Sequence, residues 1–239
     1  MSIDTLGRAW DEFEAYLFDI DGTLMNCTDA VHYFAFGEAL SSVAGRPLTI
    51  DGVVAHGNVD LGILRDAFLK HGVAEEEWRH RLPELIAGMG KFVESRHGDL
   101  RIHVLPQVRE VLAHLRSQGA VLGTATGNLA VIGRVKLAKV GLLDMFEFGG
   151  WSDGHETRTE VFRAAASEAR SRAGENAAVC VVGDTPNDIQ AARANGLKVI
   201  AVATGIYSMD QLAAEKPDLL VRGLTELIPE RASRNPVSA

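Results

Sequence analysis

The sequence predicts an α/β chain, a doubly wound and mostly parallel sheet (a Rossmann-like core) interrupted by an inserted helical domain. Three observations carry that expectation. Short apolar runs without polar alternation recur along the chain, as parallel strands covered on both faces require. Helical spacing fills the gaps between them from about residue 105 onward, and residues 28–105 show helical spacing with no buried strand pattern at all.

The first run, Ala15-Tyr16-Leu17-Phe18, stops at Asp19. Runs of the same kind follow at 120–123, 178–182 and 199–202, with weaker ones around 146–148 and 219–221. Val108, Val111, Leu112 and Leu115 repeat at helical spacing before Gly119, and Val131, Val135 and Leu137 do so before Gly141. Both glycines stand where a left-handed helix C-cap belongs. In the insertion, helices are expected over 31–44, 59–70 and 75–94. The first strand is thus completed only after the insertion, which divides the chain into a core of residues 1–27 and 106–239 and a helical domain of residues 28–105. The hinges fall at Met25-Asn26-Cys27 and at Leu105-Pro106, and the polar tail 230–239 is expected to fray.

Composition narrows the classes of function. At about 150 residues per domain, 239 residues make one large domain or a core with a smaller companion. Hydrophobic residues at 46% and charged ones at 23% exclude a disordered or low-complexity chain. A formal charge of −8 argues against nucleic acid as partner. Cys27 and Cys180, the two cysteines, are too few for a disulfide scaffold or a four-cysteine zinc site, and a reducing cytoplasm is expected. Residues 1–14 lack a signal-type apolar run and nowhere do about 18 apolar residues follow one another, so neither export nor a membrane is expected.

Asp19-Ile20-Asp21-Gly22-Thr23-Leu24 follows the first strand directly. Two carboxylates at i and i+2 on extended backbone project to one side, where they can serve as nucleophile, hard-metal ligand and proton donor or acceptor. A calcium loop does not fit, because the glycine is fourth and Ala30 occupies the twelfth position. Gly183-Asp184-Thr185-Pro186-Asn187-Asp188 repeats the pattern after another buried run; Thr185 and Pro186 also read as N-cap and first helical residue, with Asp188 as an acid of the first turn. Asp19, Asp21, Asp184 and Asp188 in one crevice would repel one another unless a divalent cation neutralised them, and Mg2+ suits oxygen ligands and phosphate. Thr124-Ala125-Thr126-Gly127-Asn128 closes a further strand and opens a helix, an arrangement that welcomes a phosphate oxygen or is simply capped by Asn128.

Asp19-x-Asp21-Gly22-Thr23, then Thr126 after a strand, then Gly183-Asp184-x-x-x-Asp188 resembles the haloacid dehalogenase superfamily of phosphohydrolases over residues 14–222. The insertion is similar to that family's C1 cap. The resemblance implies that Asp19 attacks phosphorus to give an aspartyl-phosphate and that Asp21 protonates the leaving alcohol and later deprotonates water. It implies that Asp19, the Asp21 main-chain carbonyl and Asp184 hold magnesium, with Asp188 as ligand or support, and that Thr126, Gly127 and Asn128 meet the phosphoryl oxygens.

The family's usual lysine is missing from Ser152-Asp153-Gly154-His155-Glu156-Thr157-Arg158, and Arg158 is expected to supply the phosphate-facing cation instead. Lys136 is the rival, but at about eight residues into its helix, about 12 Å along the axis, it is expected to lie too far from the strand tip. In the cap, His56 and Asn58 of His56-Gly57-Asn58-Val59-Asp60 are weaker candidates for meeting substrate, against a plain helix cap and a surface histidine. An acid at position 21 favours a phosphatase, and a closed helical cap, which leaves little space for a macromolecule, implies a small organic phosphomonoester in the manner of phosphoglycolate phosphatase-like relatives. A phosphomutase of the beta-phosphoglucomutase type would share both acids, and a binding protein that keeps the fold without turnover is the alternative from another class. A monomer and a homodimer are equally compatible with the sequence.

Overall fold

The computed structural model describes residues 4–228, so the tail 230–239 lies outside the described residues. Six strands, β1 (Ala15–Phe18), β4 (Val121–Ala125), β5 (Phe148–Gly150), β6 (Val179–Gly183), β7 (Lys198–Val202) and β8 (Leu219–Val221), form a parallel sheet in the order β5-β4-β1-β6-β7-β8. β1 lies between β4 and β6, with Ala15 opposite Val121 on one side and Val179 on the other. Its side chains alternate between two cores. Tyr16 and Phe18 pack with Val108, Leu112 and Leu115 of α5 (Val108–Ser117), while Leu17 packs with Phe162 and Ala165 of α7 (Arg158–Ala173) and Ile189 of α8 (Pro186–Ala194). The winding reverses direction at β1, which opens a crevice beyond the carboxyl ends of β4, β1 and β6.

Between β1 and α5 run α1 (Val31–Ala44), α2 (Asp60–Lys70), α3 (Glu75–Trp78) and α4 (Leu82–Ser95). They enclose their own core, in which Phe68 and Trp78 stack with ring centroids 5.1 Å apart. Each such ring contributes about 1.5–3 kcal/mol by leaving water. The helix expected over 75–94 is broken by a 3-10 turn at Arg79–Arg81, because Pro83 at the start of α4 has no N–H to continue the hydrogen-bond ladder. No convincing buried strand was expected within 28–105, yet β3 (Ile102–Val104) pairs with the hinge segment β2 (Met25–Cys27) as an antiparallel ribbon. At three residues each, neither has a run long enough to read from composition. No helix among the described residues is long and apolar enough to cross a membrane.

Candidate active site

Asp19 extends β1 by one residue, its N–H bonded to the Val182 carbonyl of β6 at 3.0 Å. The chain then turns at Gly22, where φ is +86° and a Cβ would collide with the Asp184 carboxylate, so only glycine fits. Thr23 donates its hydroxyl to Asp184 at 3.0 Å, and Asp184 follows β6 directly. One oxygen each of Asp19, Asp184 and Asp188 lie within 4.8 Å of one another, all three buried.

The capping reading of Asp188 and the site reading both hold, one for each oxygen. Oδ2 accepts from the Thr185 N–H at 3.0 Å and hydroxyl at 2.7 Å, closing the N-cap of α8, while Oδ1 accepts from Arg158 Nε at 2.8 Å. Arg158 opens α7, placed there by a capping box between Thr157 and Glu160. Its buried terminal nitrogen forms ion pairs with Asp19 at 2.8 Å and Asp188 at 2.6 Å, without a well-directed hydrogen bond to either.

Lys136 corrects the expectation that it lies too far away. It is buried, with Nζ 2.7 Å from Asp21 and 2.8 Å from the Asn128 side-chain oxygen. A helical side chain leans toward the N-terminus of its helix. The reach of lysine along α6 (Ala130–Lys139) therefore recovers about a turn of the axial distance. Both cations are in the site. Asn128 does not cap α6, whose N-cap is Leu129. Its amide donates to Asp21 and to the Thr126 hydroxyl, each at 2.8 Å, and thereby fixes three candidate residues together.

Gly127 lines the cavity and also joins the core to the insertion. Its carbonyl accepts the Asp60 N–H at 2.8 Å, and a Cβ there would collide with the Asn58 carbonyl, so the missing side chain admits the cap backbone. Asn58 spends its side chain within its own loop, on Val54 and Val59, and His56 is exposed at the rim; both still line the cavity. His32 and Asp60 were overlooked. Buried Asp60 accepts from the Leu129 N–H at 2.8 Å and faces His32 Nε2 at 3.1 Å, while Lys136 donates to His32 Nδ1 at 3.3 Å. An ammonium can only donate, so the imidazole accepts at Nδ1 and carries its proton toward Asp60.

The electrostatics of the two motif aspartates diverge. Burial pushes the Asp19 carboxyl up to about 6 and, with Asp19 and Asp188 alongside, Asp184 up to about 8. Burial would raise Asp21 as well, but the Lys136 charge and the hydrogen bonds from Lys136 and Asn128 hold it at about 2. An all-oxygen group of three buried carboxylates fits a hard dication such as magnesium. The Asp21 carboxylate, turned to Lys136, is not in that group, and of this residue only the main-chain carbonyl remains for a ligand role. The cavity around these residues is about 680 Å³ and is walled on one side by the core and on the other by α1, α2 and the 55–58 loop.

The family description haloacid dehalogenase-like hydrolase matches residues 13–196. The chain is 26% identical over 220 residues to a phosphoglycolate phosphatase of Synechococcus elongatus, covering 90% of this chain and 95% of that one. It is 26% identical over 228 residues to a phosphoglycolate phosphatase of Neisseria meningitidis, with 93% and 95% covered. Among solved structures, CbbY from Rhodobacter sphaeroides in complex with phosphate superposes with a TM-score of 0.65 at 20% identity, covering 90% of this chain and 96% of that one, a likeness of fold.

Proposed function

The chain belongs to the haloacid dehalogenase-like hydrolase family, and from that premise we propose that it is a magnesium-dependent phosphatase that cleaves a small organic phosphomonoester through an aspartyl-phosphate on Asp19. The observation that carries this reading is the meeting of Asp19, Asp184 and Asp188 with Arg158 at one strand tip, while Asp21, two residues on, faces the same cavity under Lys136. We take residues 28–105 as the cap, joined to the core through β2 and β3.

An Asp19 oxygen attacks phosphorus and the bond to the alcohol oxygen breaks, its electron pair leaving with that oxygen, which takes a proton from Asp21. Water then gives Asp21 a proton and attacks phosphorus, and the pair of the breaking bond returns to Asp19. The sum is ester plus water to alcohol plus phosphate. Thr126 and the Arg158 N–H orient the phosphoryl oxygens. Magnesium, held by Asp19, Asp184, the Asp21 carbonyl and, directly or in support, Asp188, would supply positive charge against those oxygens. In the arrangement seen here Asp21 is ionised. Giving a proton requires Lys136 to release it, and the incoming phosphoryl dianion offers Lys136 another partner.

A phosphate-release screen over small phosphomonoesters, run with magnesium and with chelator, tests the reading. Release should need the metal and vanish in Asp19→Asn. Undiminished release from a well-folded Asp19→Asn protein would overturn it.

A further inference from the structure

Resting on the phosphatase reading, we propose that the substrate is the monoester of an alcohol with no second negative charge and with an apolar body larger than two carbons. The cap sets this. Facing the acids it presents Phe36, Ile50, Ala55 and Ile63, and among the described residues lining the cavity it contributes neither lysine nor arginine. The two fixed cations in the walls are Lys136 and Arg158, both from the core. Each is already committed to carboxylates, Lys136 to Asp21 and Arg158 to Asp19 and Asp188. Four carboxylates line the same walls, Asp19, Asp21, Asp60 and Asp184, with Asp188 buried behind them. One bound dication and two cations are then used up by these acids and the phosphoryl dianion.

A carboxylate or second phosphate on the leaving group would enter against the apolar wall with nothing to pair it. His32 does not answer the need, since both its nitrogens are engaged with Asp60 and Lys136, and His56 stands out in solvent at the rim. Size points the same way. About 680 Å³ lies in the middle of the roughly 300–1,000 Å³ range of small-molecule sites, far more than a two-carbon acid fills. The products are an uncharged alcohol and inorganic phosphate.

The test is a pair of like shape, 4-carboxyphenyl phosphate and its methyl ester, which differ in charge, with the ester's better leaving group allowed for by comparing their metal-free hydrolysis rates, together with 2-phosphoglycolate and inorganic pyrophosphate. The methyl ester should have the higher kcat/KM by about 10²-fold, the scale of a like-charge clash in a desolvated contact. Ala55→Arg, checked for fold by circular dichroism, should narrow that gap by raising activity on the carboxylate. Equal or better turnover of the carboxylate, of 2-phosphoglycolate or of pyrophosphate by the unaltered protein overturns the inference and leaves the phosphatase reading standing. Failure to release phosphate from every compound overturns the phosphatase reading, and the inference with it.

Discussion

Asp19 and Asp21 stand two residues apart on one turn, yet their surroundings are opposite. Around Asp19 the neighbours are acids, Asp184 and Asp188, buried with a single guanidinium, and its carboxyl is pushed up to about 6. Around Asp21 the neighbours are donors, Lys136 and Asn128, on a side open to the cavity, and its carboxyl is held at about 2. The difference shows that one sequence motif can hold two electrostatic environments. The first carboxylate belongs to a crowded anionic nest that a dication would relieve, and the second, the proton carrier of the proposed mechanism, is paired with one ammonium. What sets them apart is a pair of cations from two later helices, α7 and α6.

Removing each carboxylate in turn should break the comparison most sharply. Asp19→Asn should lose activity on the order of 10⁶-fold, the scale of deleting a nucleophile. Its fold should survive, and its metal-free melting temperature should hold or rise, because one of three crowded charges is gone. Asp21→Asn should cost about 10²- to 10⁴-fold, the range of acid–base assistance. The loss should shrink for an aryl phosphate whose leaving group needs no proton. Equal losses for alkyl and aryl esters would remove the proton-carrier role.

Lys136→Met should cost less, about 10- to 100-fold, the worth of a hydrogen bond to a charged group. Its signature is a change of pH dependence. Without the ammonium, burial is opposed chiefly by the Asn128 hydrogen bond and the Asp21 carboxyl rises from about 2, so the acidic limb of the kcat/KM profile moves to higher pH. An unmoved limb would show that Lys136 does not govern Asp21.

The acids of this site were legible because each motif follows an apolar run without alternation, and a parallel strand must end where its carboxylates begin. Arg158 was legible too, as the cation that stands in the segment where the family's lysine is missing. Lys136 was misjudged because axial rise along a helix ignores the backward lean of a long side chain. His32 and Asp60 left no local signal: one reads as a histidine in an amphipathic helix and the other as an acid complementing a helix dipole. Their meeting with Lys136 depends on how the insertion folds back onto the core, through Asp60 on the Leu129 and Gly127 backbone, and no spacing encodes that. The β2–β3 ribbon is invisible for a related reason, since its partners are 75 positions apart at Cys27 and Ile102.

The mildest test addresses the nest around Asp19 without touching turnover. Asp19 and Asp184 have carboxyls raised above the ordinary 3.8, to about 6 and about 8. The unfolded chain ionises them near 3.8, so the metal-free protein has their full stabilising contribution below about pH 4 and loses it as pH rises through 6 toward 8. Magnesium needs the ionised ligands, and its affinity for the folded state must therefore grow over the same interval. The rise in melting temperature on adding magnesium should be larger at pH 8 than at pH 5.5. At a hundredfold excess over Kd it should amount to about 2.7 kcal/mol. That corresponds to roughly 5–10 °C for a chain of this size. Asp184→Asn should remove the rise, whereas Asp21→Asn, whose carboxylate is turned to Lys136, should keep it. A rise that is the same at both pH values, or one lost equally in both variants, would mean that the two carboxylates of the motif do not belong to separate halves of the site.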